Sequence, residues 1–405
     1  MYTRTFVIFV ATLACSMSTV YVSKNLPFSL IFNYFNRNNL LQIVEDSNQN
    51  RLIKARGHLK SMKSNRPVVA DYVSSDVLIL IVTVTRRGNN HYLTQTVAAM
   101  DSAIGRSRGD REYGLLICNA DSQPGKHKEA LELRDFALYV DKEHTSIFTG
   151  QPPRVPRAIN SGLKDTARIQ EISDYVFCLN ASMALKYKYV LVLEDDVLPI
   201  NNLLQTLDFI ILRRLRYTAD DSAYYEMTKP FLYLKLYYPQ RWQGFAYEIG
   251  IMLEFLSIGV VVGGIVVCLD TLCGSRNRRK GHTLFIFVLY TAFALCLAKC
   301  LGRVNINDVR RLSPQLYRFG RSAACCTQAM LYPRGAIYPL MEHLLVNNSL
   351  NKDLSIHRFS EISGYPGYQV EPNLFQHIGM HTSLSGGSDK NPEEFLFKLH
   401  ESTFK

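Results

Sequence analysis

The stretch Tyr187-Lys-Tyr-Val-Leu-Val-Leu-Glu-Asp-Asp-Val-Leu-Pro199 decides the fold. Residues 189–193 are an unbroken apolar run with β-branched side chains, the pattern of a strand buried on both faces. Three carboxylates follow at once, Glu194, Asp195 and Asp196, and Pro199 is expected to stop the strand. Acids this close repel one another and are costly to desolvate. A divalent cation would relieve both costs, because hard cations take carboxylate oxygens. In open α/β sheets, ligands collect outside the C-terminal ends of the strands. A solvated acidic turn would show the same three residues, so the triplet gains its meaning from the rest of the chain.

Working outward, a second β-rich run covers 76–85 and is followed by Arg86, Arg87 and Gly88. Residues 92–104 have helical spacing of apolar positions, and 114–118 form another buried strand that ends at Asn119 and Asp121. Helices are expected over 127–139 and 164–186, the latter delivering the chain to the acidic strand. Strand, helix, strand, helix, strand implies a parallel sheet with right-handed crossovers. Its three strand ends, 83–86 with Val84 and Arg86, 119–121 with Asp121, and 194–196, would then line one crevice. An arginine, a polar pair and a carboxylate cluster suit a nucleoside diphosphate with a bridging metal. No Gly-x-Gly-x-x-Gly follows the first strand and no Gly-x-x-x-x-Gly-Lys occurs, so dinucleotide and P-loop readings lose their main support. Further on, Asn201 or Asn202 can cap a helix to about residue 217. Strands are expected over 230–238 and 324–332, a helix over 336–346, and an irregular return over 369–379. A further helix fits 39–62. The last twenty residues are polar, either a tail or a packed terminal helix.

Composition sets the class. The chain has 405 residues, a formal charge of +11, 47% hydrophobic residues and nine cysteines. Its basic residues are dispersed and no nucleic-acid-binding motif is present, so nucleic acid is not an expected partner. Anionic membranes or phosphorylated ligands fit better. Residues 5–22 read as an uncleaved signal anchor after a tail containing Arg4, with a cleaved signal peptide as the alternative. Residues 249–269 and 283–301 are each long enough to span a bilayer, although Glu254 and Lys299 would also allow buried core helices. The link between them carries Arg276, Arg278, Arg279 and Lys280, which the positive-inside rule keeps cytosolic. With Arg4 cytosolic too, the soluble parts before and after this pair share the non-cytosolic side and can form one domain. The expected organisation is an anchor over 1–23, a luminal stem over 24–75, a catalytic domain in two parts, 76–248 and 302–405, and a transmembrane hairpin over 249–301. An oxidising compartment would let Cys118 pair with Cys178, and Cys325 and Cys326 either with each other or elsewhere. Asn180-Ala-Ser and Asn347-Asn-Ser are glycosylation sequons.

At this point the residues carry a resemblance. Glu194-Asp-Asp196 after an apolar strand looks like the Asp-x-Asp-type motif of GT-A glycosyltransferases. The segment Val370-Glu-Pro-Asn-Leu-Phe-Gln-His-Ile-Gly-Met-His-Thr-Ser-Leu384 is similar to the C-terminal signature of the N-acetylglucosaminyltransferase IV group. It resembles more closely the GalNAc transferases that modify GPI in the Golgi, which also carry a signal anchor and a membrane hairpin inside a GT-A domain. Leu115-Leu-Ile-Cys-Asn-Ala-Asp121, Cys325-Cys-Thr-Gln-Ala-Met-Leu331 and Lys352-Asp353 match too. The resemblance covers 77–384, and the hairpin with the C-terminal signature is its specific part.

The resemblance implies a GT-A-like α/β fold and inverting transfer of GalNAc from UDP-GalNAc to the first mannose of a GPI glycan. It implies Mn²⁺ as cofactor, a GPI anchor or GPI-anchored protein as acceptor, and a multi-pass Golgi membrane location. By the same resemblance Asp196 is the direct metal ligand, with Asp195 and Glu194 on the ribose or on metal-bound water. His377 is a further metal or diphosphate ligand, and His381 a weaker candidate. Arg86 and Asp121 are expected near the nucleotide, though either suits an ordinary strand end. Inverting displacement needs a carboxylate base near the acceptor hydroxyl. Asp353 is the first candidate and Glu342 the second. Trp242 could stack on a sugar or belong to an interfacial aromatic belt. The competing functions are an N-acetylglucosaminyltransferase acting on N-glycans and a non-catalytic glycan-binding protein of the same fold. A three-helix accessory subunit of a membrane complex is disfavoured by the large α/β body.

Overall fold

The computed structural model describes residues 2–63, 74–86, 88, 90–107, 109, 111–143, 163–215, 231–246, 248–272, 280–347, 349–381 and 390–396. Helices α1 (Tyr2–Ser23), α2 (Leu30–Asn36) and α3 (Leu40–Lys63) come first. Next are β1 (Val77–Thr83), α4 (Tyr92–Gly105), β2 (Tyr113–Asn119), α5 (Lys128–Leu133), β3 (Leu138–Asp141) and α6 (Leu163–Ser182). Then follow β4 (Tyr189–Glu194), β5 (Val197–Pro199), α7 (Leu203–Arg213) and β6 (Tyr233–Lys235). Two long helices, α8 (Ile249–Leu272) and α9 (Lys280–Leu301), and the short α10 (Arg303–Asn307) interrupt the α/β series. It resumes with β7 (Arg318–Arg321), β8 (Ala329–Pro333), α11 (Arg334–Val346), α12 (Lys352–Ile362), β9 (Gly367–Glu371) and β10 (Phe375–His377). The chain folds as two compact units: Met1–Gln42 with Pro239–Leu312, and Ile43–Tyr238 with Ser313–Lys405.

The second unit is built on an eight-stranded sheet of order β3-β2-β1-β4-β8-β6-β9-β7. The strands read from unbroken apolar runs, β1, β2 and β4, are neighbours and parallel, with Val82 opposite both Cys118 and Glu194. β3 extends this parallel half, whereas β8 enters antiparallel to β4. β6 and β9 run parallel and β7 closes the far edge antiparallel. Alternation along β1 sends Ile79 and Ile81 to one face, where they meet Val97 of α4, Leu207 of α7 and Leu59 of α3. Leu78 and Leu80 face the other way, toward Val176 of α6, Leu340 of α11 and Ile356 of α12. Each such side chain removed from water contributes about 1.5–3 kcal/mol, so both faces need their helical cover. The Cys118–Cys178 disulfide ties β2 to α6.

Several expectations are corrected here. The helix expected over 127–139 stops at Leu133, and the chain turns to form β3. Asn202 occupies the N-cap position of α7 but makes no side-chain cap bond, and α7 ends at Arg213. The strand expected over 324–332 begins at Ala329 because 322–327 form a turn that closes on a Cys325–Cys326 disulfide. The irregular return over 369–379 holds the end of β9 and all of β10. The stem expected over 24–75 is instead partly structural: from residue 43 onward, α3 belongs to the second unit and buries Val44, Leu52, Ala55 and Leu59. In the strand expected over 230–238, only Tyr233–Lys235 has sheet pairing, and residue 230 lies outside the described residues.

In the first unit, α8 and α9 lie side by side. Ile249–Leu272 and Gly281–Leu301 are long and apolar enough to cross a membrane, with only 11% and 17% of their apolar windows buried. Most side chains on this pair therefore face outward, unlike those of core helices. Close approach occurs at Gly259 and Gly263, where a Cβ would run into Thr291, Leu295 and Phe287 of α9. Thr12 of α1 hydrogen-bonds Tyr290 of α9 at 3.0 Å. Arg303, almost fully buried, pairs with Glu254 at 2.9 Å and donates to the Gln243 carbonyl at 3.2 Å. This pairing gives Glu254, the one acidic residue of α8's first turns, a charged partner. The basic link at 273–279 lies outside the described residues.

Candidate active site

The acidic strand does not simply end. Glu194 closes β4, Asp195 and Asp196 form a tight turn, and β5 leads away, paired antiparallel with β10. That small ribbon sets Val197 opposite His377, and Ile378 donates its amide to the Asp196 carbonyl at 2.8 Å. The C-terminal signature is thereby laid across the triplet. Gly379 is required there, because a Cβ at this position would fall 2.6 Å from Asp196 Cγ.

Each acid is engaged differently. Asp195, 3% exposed, accepts from the Thr83 hydroxyl at 2.6 Å and from Arg86 Nε at 2.9 Å. Arg86 Nη2 reaches both Asp195 and Asp196, the latter at 2.8 Å, and Nη1 donates to the His381 carbonyl at 3.1 Å. Burial alone would draw the Arg86 pKa down; Asp195 and then Asp196 outweigh it and hold the guanidinium charged. Asp196 Oδ2 lies 3.0 Å from His377 Nε2, while its buried Oδ1 has no hydrogen-bond partner. Burial pushes the Asp196 pKa up, but Arg86 first and His377 second bring it well below the usual carboxylate range. Glu194 pairs with Lys352 Nζ at 3.2 Å, and Lys352 also meets Glu171 at 3.0 Å. Burial raises the Glu194 pKa, with Lys352 opposing and Asp196 adding to the rise.

The remaining candidates lie on α12, on α11 and after β1 and β2. Asp353, in the first turn of α12, accepts from the Cys326 amide at 2.7 Å and the Thr327 hydroxyl at 2.8 Å. Thr327 Oγ1 is also 3.4 Å from Glu194, so Asp353 and the triplet are one hydroxyl apart. Glu342 is different: it is exposed on α11 and, among the described residues, its side chain has no ion pair or hydrogen bond. Asp121 shapes its own turn, accepting from the amides of Gln123 at 2.8 Å and Thr85 at 2.9 Å. Burial works against its charged form, yet these amides, Gln123 first, hold its pKa below normal. Val84 and Arg86 line a cavity of about 260 Å³ with Asn90, His127, Lys128 and Asp195. Trp242 is half-exposed in the first unit, outside this set.

Most of the expected residues therefore converge: Val84, Arg86, Glu194, Asp195, Asp196, His377 and Asp353, with Asp121 at the rim. Residues 77–376 match the family described as GPI-N-acetylgalactosamine transferase PGAP4. The chain belongs to this family. For the GPI-N-acetylgalactosamine transferase family, the crevice at the ends of β1, β2 and β4 is then the candidate catalytic site. Reading the sequence missed Thr83, Thr327, Lys352 as a partner of Glu194, and Gly379. Lys352, Gly379 and Thr327 stood inside quoted motifs and Thr83 opened a strand end placed in the crevice, but none of the four was given a role.

Among the described residues no three His, Cys, Asp or Glu side chains form a ready cage. Asp196 Oδ1, buried and without a hydrogen-bond partner, with His377 beside the same carboxylate, would suit a hard cation.

Proposed function

We propose that the protein is an inverting, metal-dependent transferase that moves GalNAc from UDP-GalNAc to the first mannose of GPI glycans. The observation that carries this is the Arg86 fork across Asp195 and Asp196 beneath His377, at the ends of three parallel strands. A GT-A-like arrangement accounts for it, since a nucleoside diphosphate fits outside the strand ends. Asp196 and His377 would hold the metal, which, when bound, supplies Lewis-acid stabilisation of the leaving diphosphate. Arg86 presents a planar cation suited to phosphate oxygens, and Asp195 with Thr83 keeps that fork oriented. Asp353 takes the proton from the acceptor hydroxyl as its oxygen bonds to the anomeric carbon. The bond from that carbon to the β-phosphate oxygen breaks on the opposite face, releasing UDP with inversion. Glu194, fixed by Lys352, borders the space between donor and base. We further read α1 as a signal anchor, and α8 and α9 as a hairpin with a cytosolic link, which places the α/β unit on the luminal side of the Golgi membrane.

The decisive measurement offers detergent-purified protein a panel of UDP-sugars in Mn²⁺ with GPI as acceptor. Transfer of GalNAc in preference to GlcNAc, galactose and glucose is expected. Preferred transfer of another sugar overturns the donor assignment.

A further inference from the structure

The turn at 322–327 is held more firmly than a loop between two strands needs. Cys326 has φ +74°, in the left-handed region that residues with a side chain rarely adopt, and its disulfide to Cys325 closes the backbone on itself. On one side lies Lys235 of β6, only 2% exposed, whose ammonium donates to the carbonyls of Ala323, at 2.7 Å, and Cys325. Burial pulls its pKa down to about 8, with Asp353 opposing. Among the described residues no carboxylate lies within ion-pair distance of it, and an apolar side chain would fill the position at less cost. On the other side the same turn offers its Cys326 amide and Thr327 hydroxyl to Asp353.

We propose that Lys235 is a positioning residue for Asp353, acting through the Cys325–Cys326 turn. The ammonium fixes two carbonyls, the disulfide fixes the backbone between them, and the opposite edge aims the carboxylate. Both Asp353 oxygens carry a donor from the turn, so the lone pairs left for an acceptor hydroxyl point where the turn directs them. The inference rests on Asp353 being the base, but the contacts that link Lys235 to it do not. Misplacing a reacting group by about 1 Å costs up to about 10²-fold in rate.

The test compares Lys235→Met, Thr327→Val, Thr327→Ser and Asp353→Asn in the full-length protein, reading transfer kcat, KM for UDP-GalNAc and the melting temperature. Lys235→Met should lower transfer kcat about 10- to 100-fold with KM for the donor unchanged, because the Arg86 crevice is untouched. Thr327→Val should act in the same direction, and Thr327→Ser, which keeps the hydroxyl, should restore kcat. If Lys235→Met does not fold, the two Thr327 variants decide. Full kcat in Lys235→Met or Thr327→Val, with Asp353→Asn inactive, overturns the positioning role and leaves the base assignment standing. Full kcat in Asp353→Asn removes the base assignment instead.

Discussion

At Gly379 one methyl group is enough to test the catalytic corner. A Cβ there would lie 2.9 Å from Asp196 Cβ, so Gly379→Ala must push Asp196 out from beneath His377. Turnover should fall by about 10²-fold while the melting transition persists; normal turnover would place catalysis elsewhere. Asp196→Asn keeps the size and removes the charge, and a loss of about 10²-fold or more is expected. Full rate in that variant, or full rate in EDTA, would remove the metal from the mechanism. Asp121 allows a pH test away from Asp196 and His377. Its folded pKa is depressed, so its stabilisation is complete above the unfolded carboxylate value and is lost as pH falls through the folded one. The stability gap between wild type and Asp121→Asn, followed by thermal melting, should hold steady from neutral pH and close only in acid. The triplet and Arg86 were legible because charge at the end of an apolar run stands out. Asp195's hold on Arg86 was not, since 109 residues separate them and only the β1–β4 pairing brings them together.

Among the elements, α8 and α9 give the sharpest contrast. A Cβ on Gly263 would lie 3.0 Å from the Phe287 carbonyl, whereas Gly264 has open space. Gly263→Val should lower the yield and thermal stability of the detergent-solubilised protein, and Gly264→Val should leave both unchanged. Equal behaviour of the two would mean that this packing is not formed. The Cys118–Cys178 bridge encloses a separation of 60 residues, for which the chain-entropy treatment gives about 4 kcal/mol. β1, β2 and β4 were readable because strands buried on both faces are continuous apolar runs. β3, β5, β7 and β10 have only three or four residues each, too few to show a period, whereas β6 was read within the longer run 230–238. Helix α12 escaped notice because its buried positions include the polar residues Lys352, Ser355 and Ser360, the first two bonded outside the helix and the third to the His357 carbonyl within it.

At the scale of the whole molecule, the α/β unit is discontinuous, left at Tyr238 and re-entered at Ser313. β6 and β7 flank β9, with Lys235 opposite Gln369 and Arg318 opposite Glu371, so the strands on either side of the break lie two strand spacings apart, about 10 Å. A short Gly/Ser link in place of 239–312 should therefore keep the sheet, with UDP-GalNAc hydrolysis intact, while transfer to membrane-embedded GPI collapses. Equal transfer by that variant would show that the hairpin does not serve the acceptor. The interleaving also sets a schedule for synthesis. Asp196 is made 181 residues before His377, a delay of about 9–36 s at usual elongation rates. For most of that interval, until Pro333 has been added, β4 has an unpaired edge, because its neighbour β8 has not yet been made. Under the proposed topology both spans must be inserted in the meantime, and a chain that inserted only one would strand its late segment on the wrong side of the bilayer. Such a chain could assemble no crevice at all, so an enzyme that reaches its substrate membrane active has already been checked for correct threading.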